Sequence, residues 1–507
     1  MKLTRLSAAL LTGLAVTATA CSTDLTGINV NPNSPTTAPA GTLFSNATIN
    51  AVGRFQGAGQ LSGTSLMAQH LAQVQYVDED RGHIRTTTID AMFTGAYTSE
   101  LEDYEKVIAQ GTAATAPNIW GPALVMQSWT YLNMTDIWGD IPYSEALQGD
   151  LPGGPLKPAY DAQQDIYYGL LASLTAASTA MATATDAGLG SADLVFQGNS
   201  AKWVKFANSL RARMAMRMLK NDATKAGTEL TAAFAAGVMT SNADNAQLVY
   251  PGDGVFDNGW SVNFATRDDH RVSKTLLDIM NTRADPRALV FAQPTRWDPA
   301  TDAPWAIPAN AQRIGLQNGM SNATVAPFFN TTSRAGTIFY PGTTVYGTFG
   351  TADGKKTPAM VMTYAEVAFL RAEAAQRGLG GQTGAAAHYN AGVTASILQW
   401  GGTTGDATTY LAQPAVAYAG GTAGLQQIAV QKWIALFTQG NEAWAEWRRT
   451  GFPSTIAMGP SAYPDVLQVP RRWLYPSNEQ SVNAASLLAA IAAQGADTYA
   501  TKVWWDK

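Results

Sequence analysis

Apolar residues recur at three- and four-residue steps along most of this chain, the spacing that places side chains on one face of an α-helix. The clearest run is Trp203, Phe206, Leu210 and Met214, with arginines at positions between them. The same periodicity predicts other helices, at about 117–138, 160–182, 272–282, 364–377, 385–400, 422–439, 441–449 and after residue 484. Helices should therefore dominate the fold.

Two neighbouring helices are separated only by a glycine-rich turn. The sequence Gly378-Leu379-Gly380-Gly381 ends the first helix, since glycine adopts the left-handed conformation after a helix at little cost. Alanines at 365, 368, 372 and 375 form a stripe of small side chains that lets another helix approach closely. A helix, a tight turn and a second helix is the unit of tetratricopeptide-like stacks. We predict a mainly α fold of tetratricopeptide-like helix pairs, with long irregular loops and a few short strands.

Helical periodicity fails between about 243 and 357, where Gly, Pro, Asn, Thr and aromatic residues dominate. This composition predicts irregular loops. Long loops in a compact protein are usually functional. We therefore expect one folded domain over 41–507, with ligand binding in the loop-rich insertion at 243–357.

The first twenty residues have a basic start, an apolar stretch and a small-residue end, the three parts of a secretory signal. Cys21 follows directly and is the only cysteine, in the position where bacterial lipoproteins carry diacylglycerol. We predict a lipoprotein signal peptide at 1–20 and lipidation of Cys21; a soluble exported protein with an unmodified cysteine is the alternative. Residues 21–40 end in NPNSPTTAPA and are predicted to be a flexible tether.

Composition excludes several classes of function. The net charge is −5 with no basic block, so nucleic acid is not an expected partner. No second apolar run reaches membrane-spanning length, so the lipid would be the only membrane contact. With the single cysteine lipidated, neither a disulfide nor a cysteine-ligated metal can form.

Enzyme signatures are largely missing from the sequence. The four histidines lie far apart, without the spacing of a metal site, and no nucleophile elbow occurs. Asp78-Glu79-Asp80 could hold calcium, but no EF-hand pattern surrounds it, and a solvated acidic turn is the preferred interpretation. We predict no catalysis, no metal and no cofactor.

Aromatic residues in glycine- and proline-rich surroundings are the strongest ligand-binding candidates. Flat rings lose little entropy on binding, and the C–H faces of sugars stack on them. For each ring the alternative is that it fastens a loop to the helical body. The candidates are Trp260, Trp297, Trp305, Tyr340 and Tyr346.

Arg81 and His83 complete the set of candidate ligand-binding residues. Both follow a predicted helix end, at the Asp-rich turn described above. Arginine and histidine can hydrogen-bond sugar hydroxyls. Ordinary surface charge is the alternative for both residues.

Several segments resemble the SusD/RagB family of outer-membrane lipoproteins. The longest is ALVMQSWTYLNMTDIWGDIPYSEA at 123–146, and the others follow in the family's order: WVKFANSLR at 203–211, DPR at 285–287, YAEV at 364–367, EAW at 442–444, RRTG at 448–451 and RR at 471–472. Gln431-Lys432 stands where the best-known members carry Glu-Arg. This difference indicates the divergent SusD-like branch.

The resemblance implies a single α domain of four tetratricopeptide-like helix pairs. It also implies a non-catalytic protein, lipid-anchored in the outer membrane and facing the cell surface. In this family the lipoprotein covers a SusC-like TonB-dependent barrel like a hinged lid, and captures oligosaccharides or, in some members, peptides. We expect an oligosaccharide rather than a peptide. Two alternatives remain open: a surface glycan hydrolase on a helical scaffold, and a structural scaffold that binds only protein.

Overall fold

The computed structural model describes residues 38–295, 312–341 and 353–507. Helices form most of this part of the chain. In chain order they are α1 Ala40–Gln56, α2 Thr64–Met67, α3 Thr86–Gly95, α4 Glu102–Ala109, α5 Pro117–Trp138, α6 Gln163–Ala182, α7 Ser200–Met218, α8 Ala223–Ala236, α9 Gly259–Phe264, α10 Lys274–Asn281, α11 Ala288–Phe291, α12 Asn322–Val325, α13 Tyr364–Arg377, α14 Ala385–Gln399, α15 Thr404–Leu411, α16 Gly421–Ala435, α17 Gly440–Thr450, α18 Glu479–Val482 and α19 Ala484–Gln494.

Strands are few and short, and they join in antiparallel pairs. Strand β1 pairs with β5, β2 with β3, and β4 with β6. Their bounds are β1 Leu71–Gln73, β2 Ile141–Pro142, β3 Tyr160–Asp161, β4 Ala246–Leu248, β5 His270–Val272 and β6 Ala359–Met362. The predicted mainly α class with a few short strands is therefore confirmed.

The best-patterned helices agree with the sequence predictions to within a few residues. Helix α13 has the predicted bounds because both ends carry local signals. Thr363 accepts a hydrogen bond from the backbone N–H of Glu366 at the start, and Gly378 adopts a left-handed φ of 69° at the end. Helices α1 and α8 were not predicted from the sequence.

The predicted helix pair is present as α13 and α14, which pack against each other. Their close approach depends on Gly392 in α14, where an added Cβ would lie 2.8 Å from the ring of Phe369 in α13. Both glycine positions therefore serve the pairing: Gly378 turns the chain, and Gly392 lets the helices meet.

Helix α7 lies in the core of the domain. Trp203 packs edge-on against Phe44 and Phe196, with ring centroids 6.0 and 5.0 Å away. Its indole N–H donates to the Asp193 carboxylate at 2.7 Å, so this buried ring has its polar atom satisfied. The apolar face predicted from sequence is confirmed.

The arginines between those apolar positions are also buried. Arg213 forms a two-pronged hydrogen bond with Glu366 at 2.6 and 2.8 Å, and lies 3.4 Å from Glu442. Arg217 pairs with both Asp136 and Glu442. Helix α7 is therefore enclosed on its charged side as well, by acids from helices α5, α13 and α17.

Lys432 extends this network, and with Gln431 it is buried in the same interior. Its ammonium donates to Glu446 at 3.0 Å, and Arg449 contacts the same carboxylate at 2.5 Å. Gln431 accepts from Arg287 at 2.7 Å and donates to Tyr410 at 2.8 Å. Gln431 and Lys432 therefore hold the scaffold together through buried polar contacts.

Candidate functional site

The aromatic candidates within the described residues are buried. The ring of Trp260 is 2% exposed and packs against Phe339 and Phe437, with centroids 5.0 and 5.7 Å away. Tyr340 stacks on Phe264 at 5.0 Å. This packing favours the alternative interpretation, in which both rings fasten the loop region to the helical body.

The other aromatic candidates, Trp297, Trp305 and Tyr346, lie outside the described residues, and so does Cys21. Ligand binding by the three rings and lipidation of the cysteine stay predictions. So does the division into signal peptide, tether and folded domain.

Arg81 and His83 both contact the ring of Tyr463, a residue that the sequence analysis did not select. The His83 imidazole stacks on Tyr463 with centroids 3.9 Å apart, and the Arg81 guanidinium lies 4.1 Å from the same ring. Arg81 also donates to the Ser461 carbonyl at 2.6 Å, and His83 contacts Asp465 at 2.8 Å. We name Arg81, His83, Tyr463 and Asp465 the Tyr463 cluster.

The expectation of a solvated acidic turn before Arg81 was wrong for Glu79 and Asp80, although the Asp78 side chain is 52% exposed. Asp80 is only 7% exposed, and its carboxylate accepts hydrogen bonds from the Asn318 side chain at 2.6 Å and the Gly319 backbone at 3.0 Å. A third bond comes from the Gln73 backbone at 3.2 Å. Burial raises the pKa of Asp80 to about 7, and these three donors oppose the shift.

Glu79, the middle residue of the turn, is buried as well. It accepts from the Gln73 side chain at 3.1 Å and pairs with Arg85. Residues 74–85 thus form a loop in which two buried acids, Glu79 and Asp80, anchor the chain. Such a loop can hold surface side chains in fixed positions.

Tyr76 is the aromatic side chain that this anchored loop exposes. It is 58% exposed, and its φ is 53°, in the left-handed region that residues other than glycine adopt only where the surrounding structure requires it. The Arg267 guanidinium lies 5.1 Å from the ring centroid and pairs with Asp269 at 2.5 Å. We name Tyr76 with Arg267 the Tyr76 platform.

The platform and the Tyr463 cluster offer what a sugar requires at a protein surface. An exposed ring provides an apolar face for the C–H side of a pyranose, while guanidinium and carboxylate groups bind hydroxyls. Sequence reasoning missed Tyr76 although it lies in a polar, non-helical run, a signal that could have found it. Tyr463 had no such signal, because its importance comes from contacts with residues far away in the sequence.

Within residues 38–295, 312–341 and 353–507, no three His, Cys, Asp or Glu side chains are grouped as metal ligands would be. No helix in those ranges is long and apolar enough to cross a membrane.

A stack of paired helices that carries an anchored, aromatic-bearing loop is the architecture of a binding protein. Residues 32–476 match the model of a SusD-like family described as "Starch-binding associating with outer membrane". The chain therefore belongs to the SusD-like family, which supports a carbohydrate-binding role and an association with the outer membrane.

Solved structures agree with this assignment. A chitin-binding protein is 27% identical, with a TM-score of 0.77 over 92% of this chain and 100% of its own. A SusD homologue from Bacteroides ovatus is 26% identical, with a TM-score of 0.76 over 92% of this chain and 99% of its own. A chitin-binding SusD homologue from Flavobacterium johnsoniae is 24% identical, covers 92% and 98%, and with a TM-score of 0.76 shares the fold. No curated protein matches the chain.

Proposed function

We propose that this protein is a non-catalytic, lipid-anchored surface receptor that binds an oligosaccharide and delivers it to a SusC-like TonB-dependent barrel in the outer membrane. The exposed Tyr76 ring beside Arg267, on a loop anchored by buried acids, carries the proposal. Family membership supports a glycan over a peptide, since the matched family is described by starch binding and two of the solved neighbours by chitin binding.

Binding should be tested first with the isolated folded chain. A panel of soluble glycans, measured by titration calorimetry, is expected to give at least one binder that loses affinity in Tyr76→Ala. Phe256→Ala is the matched control, because Phe256 is another exposed ring, at 45%. The proposal would be contradicted if no glycan of the panel bound, or if Tyr76→Ala and Phe256→Ala bound the glycan with equal affinity.

Delivery and anchoring need the full-length chain in an outer membrane. Labelled palmitate should reach Cys21 and not Cys21→Ser. The anchored protein should co-purify from detergent with a large β-barrel. Recovery only as a free monomer would count against the partnership.

The glycan hydrolase alternative can be tested with the glycans that the protein binds. Incubation of the pure protein with the bound glycans should release no new reducing ends. Release that disappears on substitution of one Asp or Glu would establish the hydrolase instead.

A further inference from the structure

A cavity of about 320 Å³ lies between the end of helix α10, helix α16 and the segment that follows α17. Its volume is within the range of small-molecule sites. It shares no residue with the Tyr76 platform or the Tyr463 cluster. Among its described lining residues, Arg283 is the only one with a charged side chain. The cavity therefore has a positive charge that no acid of its described wall balances.

The acids that lie near Arg283 in the sequence are bound to other cations. Asp285 accepts from Arg287 with both carboxylate oxygens, at 2.9 and 2.6 Å. Asp278, on the preceding turn of α10, pairs with Lys274. Arg283 itself forms no ion pair with any residue that the structure describes, which leaves its charge for a ligand.

The Arg283 guanidinium is held at one point and keeps most of its donors. One N–H group donates to the Ile279 carbonyl at 3.0 Å, which ties the side chain to the end of α10. A guanidinium has five N–H donors in a planar fork, and the remaining ones have no partner among the described residues. The side chain is half-buried and lines the cavity, so a ligand in the cavity can reach these donors.

Uncharged polar groups and an apolar wall surround this cation. Gln426, Ser454 and Thr455 line the cavity and are exposed. Their side chains form no hydrogen bond within the described part of the chain, and an amide or hydroxyl can both donate to and accept from a sugar hydroxyl. Phe452 and Pro453 line the same cavity and provide an apolar surface for the C–H side of a sugar ring.

These groups together match a sugar that carries a carboxylate. The planar guanidinium fork fits the two oxygens of a carboxylate through parallel, charge-assisted hydrogen bonds. A uronic acid has this carboxylate on the same ring as hydroxyl groups and apolar C–H faces, so a single sugar unit can use all three kinds of surface. A neutral sugar would leave the Arg283 charge without a counter-ion.

A neighbouring cavity of about 310 Å³ gives room for more of a glycan chain. It shares Ile279 and Thr455 with the first cavity, so the two are continuous along α10. Its charged lining residues in the described part of the chain are Lys274 and Asp278, which pair with each other. We propose that the two cavities bind an acidic oligosaccharide, with the carboxylate of a uronic acid unit on Arg283. This proposal rests on the carbohydrate role proposed above and names the class of glycan.

Matched pairs of glycans test the proposal by titration calorimetry. The probes are oligosaccharides of glucuronic, galacturonic and mannuronic acid, each compared with its carboxyl-reduced counterpart. Reduction replaces the carboxylate by a hydroxymethyl group and leaves the linkages and the other hydroxyls unchanged. At least one acidic oligosaccharide should bind at least about tenfold more tightly than its reduced form, as expected for hydrogen bonds to a charged group.

Substitutions of Arg283 show whether this side chain causes the preference. Arg283→Gln should lower the affinity for the acidic form about tenfold and leave that for the reduced form unchanged. Arg283→Lys keeps the charge but lacks the planar fork, and should cause a smaller loss. Arg371→Gln is the matched control, because Arg371 is also half-buried without an ion pair among the described residues but lines neither cavity. It should leave both affinities unchanged.

The outcomes separate this proposal from the general one. Equal affinity for every acidic glycan and its reduced form, or equal losses for both in Arg283→Gln, would overturn the acidic-glycan site. A peptide with a free C-terminal carboxylate that binds more tightly than any acidic glycan, through Arg283, would also overturn it. If a neutral glycan still binds and responds to Tyr76→Ala, only the Arg283 proposal fails. If no glycan binds at all, the carbohydrate role itself fails.

Discussion

The interior of the helical body and the loop at 74–85 both bury acidic side chains, but for different ends. In the body, Glu442 is shared by Arg213, Arg217 and Lys432, so charge is enclosed with its partners. In the loop, the Asp80 carboxylate accepts hydrogen bonds from uncharged N–H groups. The loop that it anchors carries the exposed Tyr76 ring. This difference indicates where ligands bind. Charges that are paired inside the helical body stabilise the scaffold. Buried acids beneath an exposed ring hold a surface on which a ligand can bind.

The largest expected effect comes from breaking the paired interior. Glu442→Gln removes the charge that faces three buried cations, and should lower the free energy of unfolding by about 3–5 kcal/mol. Burial by itself would raise the pKa of Glu442, but these cations hold it below its ordinary value. Urea unfolding measures the loss. A loss below about 1 kcal/mol would show that the network does not stabilise the body.

A smaller effect is expected from acid, through the buried imidazole of His270. Burial lowers the pKa of His270 from 6.5 to about 4, so below pH 6.5 the unfolded chain takes up a proton that the folded chain refuses. The free energy of unfolding should therefore fall by about 3 kcal/mol between pH 6.5 and 4 from this residue.

His270→Gln should remove that part of the pH dependence, as seen in urea unfolding at several pH values. Phe256→Gln, a substitution of an exposed side chain that does not titrate, is the control and should leave the slope unchanged. An unchanged slope in His270→Gln would show that the buried ring is not the titrating group.

Removal of the exposed ring should act on binding alone. Tyr76→Ala is expected to weaken glycan binding by about 2 kcal/mol, roughly thirtyfold, as for an aromatic residue central to an interface. The free energy of unfolding should change by less than about 0.5 kcal/mol, since the side chain is more than half exposed. A stability loss as large as the binding loss would mean that the ring is structural.

The smallest effect is expected for a surface ion pair outside both regions. Lys274 and Asp278 lie one turn apart on α10, both more than half exposed. Asp278→Asn should lower the free energy of unfolding by less than about 0.5 kcal/mol. If Asp278→Asn lowered the free energy of unfolding as much as Glu442→Gln, exposed and enclosed charges would contribute equally to stability, against this prediction.

Much of the fold could be predicted from sequence because its signals are local. Helix α13 is defined by Thr363 at one end and Gly378 at the other, with apolar periodicity between them. Local pattern also indicated a loop-rich region, and family-type motifs indicated the class of protein. The burial of Glu79 and Asp80 could not be predicted from the sequence. The hydrogen-bond donors to Asp80 include Asn318 and Gly319, which lie more than 200 positions away.

The candidate site lies largely outside the loop-rich insertion at 243–357, where ligand binding was expected from the sequence. Arg81 and His83 lie on the anchored loop, but Tyr463, the ring that joins them, is about 380 positions along the chain. Trp260 has the sequence surroundings of an exposed ring and is nevertheless enclosed by Phe339 and Phe437. Whether an aromatic side chain is buried or exposed depends on neighbours that lie far from it in the sequence.

The sequence by itself determined the well-patterned helices such as α13, the glycine turn that ends it and the motifs of the family, since each follows from residues within a few positions. Only the tertiary structure decided which charges are enclosed and that the Tyr76 ring stays exposed on the loop at 74–85. The physical reason is that helix formation depends on hydrogen bonds four residues apart. Burial and pairing depend on contacts between segments that only folding brings together.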